Sequence, residues 1–164
     1  MNAERRGLGL ALALLGLSGC RGAGEVDSLL GTWAGPLDCA TDVQDEGQTV
    51  TLDYTTDLSI SLTGQDERVY TGELELAAAY TWQSAEIVDE ATYAITLVQS
   101  RPQGSQPVVI QDATCVDSAR TIDGVGDEEG CGDYTPAPPT GDLRWDGADA
   151  LTVRGARCNG TLER

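Results

Sequence analysis

Five cysteines carry the most varied chemistry in this 164-residue chain: Cys20, Cys39, Cys115, Cys131 and Cys158. A thiol can bridge, bind metal, attack a substrate or accept a lipid, and its company in the sequence decides among these. No CxxC pair is present and the chain has no histidine, so a zinc site lacks its usual ligands. The same lack of histidine removes the Ser-His-Asp and Cys-His arrangements of nucleophilic catalysis. Carboxylates are the other abundant reactive group. Paired acids serve glycosidases, but the 27 Asp and Glu are spread along the whole chain and no pair stands out. "DGVGDEEGCGD" (123–133) gathers Asp123, Asp127, Glu128, Glu129 and Asp133. Such oxygens suit calcium, yet the EF-hand order is absent, and a solvated acidic loop is the expectation. No glycine-rich phosphate loop joins a strand to a helix. The sequence therefore predicts no catalytic residues, no metal and no cofactor, and a protein that is not an enzyme.

An odd cysteine count leaves one thiol over in an exported protein, and the N-terminus accounts for it. Arg5 and Arg6 precede an apolar run of Leu, Ala and Gly from Leu8 to Leu17, closed by Ser18 and Gly19. This is the layout of an export signal, and the run is about half the length that a bilayer-spanning helix needs. Leu17-Ser18-Gly19-Cys20 resembles the lipobox of bacterial lipoproteins. The resemblance implies cleavage before Cys20, a diacylglycerol on its sulfur and acylation of the new N-terminus. Residues 1–19 are then a cleaved signal peptide, expected to be helical, 20–28 a lipidated tether and 29–164 a single β domain. Two acyl chains suffice for durable attachment, so the expected partner is a membrane, reached through the N-terminal lipid. Residue 21 is Arg rather than the Asp that favours inner-membrane retention in that family. The resemblance thus implies a lipid-anchored protein of the cell envelope, sorted to the outer membrane.

With Cys20 assigned to lipid, four cysteines remain, and an exported location permits two disulfides. Three connectivities are open. The favoured one pairs Cys115 with Cys131 across the glycine-rich acidic loop, and Cys39 with Cys158 across the first and last strands.

The formal net charge is −17, and all ten basic residues are arginine. Removing residues 1–19 takes away Glu4, Arg5 and Arg6 and leaves 26 acids against 8 bases, a net charge of −18. Such a chain repels nucleic acid and anionic headgroups, so nucleic acid is not an expected partner. An acidic surface serves first to keep the domain hydrated.

The elements that position these residues are strands. From Val50 to Leu62 apolar residues alternate with Thr, Asp and Ser, the period of a half-buried strand. Thirteen residues is long for one strand, and a bend or a break near Thr55-Thr56-Asp57 is expected. "GQDE" (64–67) reads as a turn into a second alternating run, Tyr70 to Trp82. Ala91 to Leu97 and "QPVVIQDATCV" give two more strands, and Thr32 to Cys39 the first, with Pro36 implying an edge or a bulge. "TWQSAEIVDEATYAI" is the one stretch with room for a helical turn. Residues 117–141 read as loop, and short strands follow around Leu143–Trp145, Leu151–Val153 and Cys158–Glu163. About eight strands in succession predict an all-β antiparallel meander, closed as an up-and-down barrel or folded as a two-sheet sandwich.

Gly31-Thr32-Trp33 at the start of the first strand resembles the G-x-W of lipocalins. The resemblance implies an eight-stranded barrel, with Trp33 packed across one end against Arg164 or Arg157, and a cavity for a small apolar ligand. Two roles are therefore expected. One is non-enzymatic binding or structural work at the envelope, with another envelope protein as partner. The other is carriage of a small apolar ligand. An open apolar interior favours the carrier, and an interior filled by Trp33, Tyr54 and Leu74 opposes it.

Overall fold

The computed structural model describes residues 28–100, 106–138, 141–155 and 157–164. The expected signal peptide, Cys20 and most of the expected tether lie outside the described residues. Among the described residues nine strands form one antiparallel sheet: β1 (Gly31–Asp45), β2 (Gln48–Asp66), β3 (Val69–Trp82), β4 (Ala85–Gln99), β5 (Gln106–Ile122), β6 (Val125–Glu129), β7 (Gly141–Trp145), β8 (Ala150–Gly155) and β9 (Cys158–Glu163). No helix occurs among the described residues. The all-β meander read from the sequence is correct, and several local expectations are not. β2 runs unbroken through Thr55-Thr56-Asp57, held on both sides by β1 and β3. The turn after it sits at Glu67-Arg68, because a bulge between Leu62 and Gly64 lets β2 continue to Asp66. "TWQSAEIVDEATYAI" holds no helical turn; Gln83 and Ser84, both at positive φ, reverse the chain from β3 into β4. The stretch 117–141 also holds ordered strand: β5 extends to Ile122 and β6 pairs back on it through the positive-φ pair Asp123-Gly124. Asp-Gly suits such a hairpin turn because both central residues need φ above zero.

The pairings close on themselves. β1, β2, β3, β4 and β5 pair in sequence, β5 pairs with β7 at Gln106–Val108, and β7, β8 and β9 lead back to β1. Eight strands thus form a ring, with β6 attached to the far half of β5. The seam between β1 and β9 is tight. A Cβ on Gly35 would meet Thr161 O at 2.6 Å, and one on Gly160 would meet Pro36 O at 2.6 Å. Glycine on both strands lets the backbones meet. Pro36 is not at an edge; its ladder to β9 simply skips Gly35 and Pro36 between the rungs Ala34↔Glu163 and Leu37↔Gly160. Cys39 and Cys158 are opposite each other on the last rung and form a disulfide, with Cα atoms 4.1 Å apart.

The long strands outrun the short ones, so the two ends of the ring differ. At the end where β7, β8 and β9 complete the ring, Trp33, Ile60, Leu74, Leu97, Val108, Leu143, Leu151 and Leu162 fill the interior. Trp33 is fully buried, and its Nε1 donates to Leu29 O at 2.8 Å. Arg164 lies over the indole, 4.4 Å from the ring centroid, and donates to Ser28 O. Of the two arginines that the G-x-W resemblance offered for this contact, Arg164 makes it. Outward positions of β2 and β3 carry mainly Thr, Ser, Asp and Glu, such as Asp53, Thr55, Asp57, Glu73 and Glu75, while Val69, Val98 and Val109 form an apolar row across β3, β4 and β5.

Candidate ligand-binding site

Beyond the filled end the interior opens into a cavity of about 470 Å³. Leu37, Val43, Leu52, Tyr54, Leu76 and Ala78 form its apolar wall, all on the inward parity of β1, β2 and β3. Trp33 and Leu74 therefore fill the ring as the opposing expectation required, while Tyr54 lines open space. The volume falls within the range of small-molecule sites.

One side of the cavity is charged. Asp89 and Arg120 are opposite one another in the β4–β5 register, so their side chains emerge on the same inner face. Arg120 grips the carboxylate with two parallel bonds, Nε to Oδ1 at 2.6 Å and Nη2 to Oδ2 at 2.8 Å. This fork geometry makes for the stronger kind of ion pair. The Tyr80 hydroxyl donates to Asp89 Oδ2 at 2.9 Å and accepts from Arg120 Nη2 at 3.3 Å. The Asp89 side chain is 6% exposed and that of Arg120 23%. Burial, then the bond to Asp89 and its negative charge, push the Tyr80 phenol up to about 12. The hydrogen bonds to Asp89 hold the Arg120 guanidinium charged, above its already high ordinary value. Tyr54 leans on Tyr80 with ring centroids 6.1 Å apart, and Arg120 lies 5.2 Å from the centre of the Tyr134 ring.

Tyr134 belongs to a strap, residues 130–138, that bounds the cavity where the ring lacks strand pairing. Cys131 ties the strap to Cys115 on β5. Gly130 N donates to Ser118 O at 2.6 Å, Tyr134 Oη donates to Gly130 O at 2.6 Å, and Tyr93 Oη donates to Pro136 O at 2.7 Å. Tyr134, Pro136, Ala137 and Pro138 then line the cavity with Asp133, and Arg157 lines it from the other side.

Both favoured disulfides are present, so Cys39, Cys158, Cys115 and Cys131 are all oxidised. The acidic cluster does not gather. Asp123 caps a turn by accepting from Glu86 N at 2.9 Å, Asp127, Glu128 and Glu129 lie exposed on β6, and Asp133 faces the cavity. No group of three metal-ligating side chains forms among the described residues. Sequence reading missed Tyr80, Asp89 and Arg120 as a set. The available signal was Asp89 itself, a charge on the inward parity of β4 between Ile87 and Ala91. A second depression of about 550 Å³ lies on the outer face, around Asp57, Glu75 and Glu90, without an enclosing wall. No family model, curated protein or solved structure matches the chain.

Proposed function

We propose that this chain is a lipid-anchored protein of the cell envelope whose β domain binds a small, largely apolar molecule without catalysis. The observation that carries the binding role is the 470 Å³ cavity, apolar on β1–β3 and polar at Asp89 and Arg120. A wide apolar wall with few fixed polar groups is the usual composition of a ligand site. The lipocalin-like carrier role draws further support from the ring of eight paired strands and from the Trp33–Arg164 contact at its filled end. The anchor draws support from the cysteines: four of five pair with one another, and the fifth is Cys20 in the lipobox-like stretch. Arg21 favours the outer membrane on the same resemblance.

Ala78 is 4% exposed and lines the cavity, so Ala78→Trp fills the space from within. Nile red, an uncharged apolar dye, is expected to brighten with the wild-type protein and to lose at least tenfold in affinity with the variant. Circular dichroism checks that the strands remain. Equal binding by both proteins, or none by the wild type, overturns the cavity as a ligand site.

A further inference from the structure

The polar side of the cavity is more specific than an apolar pocket requires. Asp89 uses Oδ1 for Arg120 Nε, and Oδ2 for Arg120 Nη2 and Tyr80 Oη. Arg120 has five N–H donors, and its three hydrogen bonds all leave from Nε and Nη2. Among the described residues Nη1 has no hydrogen-bond partner, while Arg120 lines the cavity. The two N–H groups of Nη1 are thus the spare donors of a permanently charged group beside apolar surface.

Charge decides what these donors accept. The guanidinium is already neutralised by Asp89, and the other charges of the lining, Asp133 and Arg157, are one of each sign, so a carboxylate arriving at Nη1 would bring a second negative charge against Asp89 at low dielectric. It would also approach a chain of net charge −17, whose field repels anions. A neutral carbonyl oxygen takes the same bond without that repulsion. A plain hydrocarbon would displace water from Nη1 and leave it unpaired, which is costly for a charged donor. We propose that the cavity selects an uncharged carbonyl-bearing apolar molecule, of the alkyl ester, ketone or amide class. Its carbonyl oxygen accepts from Arg120 Nη1, and its alkyl part lies against Leu37, Leu52 and Leu76.

This inference rests on the cavity being a ligand site, and sealed equilibrium dialysis separates the two. The probes are methyl decanoate, decanoate and decane, each measured on the purified wild type and on two variants. Arg120→Lys keeps the positive charge for Asp89 but removes the Nη1 fork. It is expected to weaken methyl decanoate about tenfold, the size of one bond from a charged donor, and to leave decane within about twofold. Asp89→Asn keeps the shape and removes the negative charge. It is expected to strengthen decanoate about tenfold while methyl decanoate changes little. Equal loss of ester and hydrocarbon in Arg120→Lys, or an unchanged acid-to-ester ratio in Asp89→Asn, overturns the selectivity and leaves the cavity a ligand site. Failure of all three probes to bind the wild type overturns both. Either variant alone decides the matter if the other does not fold.

Discussion

A buried ion pair is a poor source of stability, since desolvation offsets most of the attraction, but breaking one side of it is expensive. Asp89, Arg120 and Tyr80 therefore make more sense as a fixed polar surface than as a brace. Their pH response follows from Tyr80. An ordinary tyrosine loses its proton near 10, whereas burial and the bond to Asp89 hold Tyr80 to about 12. Between those values the unfolded chain binds fewer protons than the folded one, so stability falls as pH rises. The contribution is complete below pH 10 and gone above about 12. Tyr80→Phe is expected to cost about 1 kcal/mol at neutral pH, the size of one net hydrogen bond, and to flatten the loss of stability above pH 10. Urea melts at pH 8, 10 and 11.5 check this. The slope is reduced rather than abolished, because burial also raises Tyr93. A variant whose alkaline slope matches the wild type would show that Tyr80 titrates like a surface phenol.

The long strands β2 and β3 were legible because period-two alternation is written into them, from Val50 to Leu62 and from Tyr70 to Trp82. Chain position favoured one of three disulfide connectivities, and that pairing is the one present. Turns were less so. Glu46-Gly47 and Gln83-Ser84 reverse the chain at positive φ, and only the first contains a glycine to announce it. β6 was lost because "VGDEE" has no alternation; all five residues are exposed. The polar trio was lost because its members come from three strands and meet only through register, Ala78↔Asp89 and Asp89↔Arg120. The strap was illegible for a different reason: residues 130–138 have no periodicity and are placed by Cys131 and by hydrogen bonds to Ser118 and Tyr93. Its order should depend on that bridge. A loop of this length gains about 3 kcal/mol from closure by a disulfide. The pair Cys115→Ser and Cys131→Ser is expected to speed hydrogen exchange in 130–138 while β1–β4 keep their protection. Mass spectrometry of peptides after deuterium labelling checks this, and unchanged exchange in the strap would show that its hydrogen bonds suffice alone.

At the scale of the whole molecule, charge must be reconciled with the proposed attachment. A chain of net charge −17 is repelled by anionic headgroups, and the outer face of β2 and β3 carries mainly hydroxyls and carboxylates, with Val69, Val98 and Val109 side by side in register as an apolar row. Attachment through the proposed N-terminal lipid needs no grip from that face. The ring leaves room for it. Ser28 and Leu29 enter at the filled end, held by Arg164 and Trp33, while Glu46-Gly47 and Gln83-Ser84 turn the chain at the other end of the long strands. The proposed tether, joined at the filled end, would keep the cavity away from its own attachment point. The proposed anchor gives a sharp expectation: in bacteria with lipoprotein processing, the protein partitions with membranes and its intact mass matches a chain starting at Cys20 plus three acyl chains and glycerol. Cys20→Ser is expected to leave the fold and both disulfides intact, because no bridge uses that thiol, and to release the domain from the membrane fraction. A wild-type chain that starts at Cys20 without acyl mass, or a serine variant that still sediments with membranes, would refute lipid attachment.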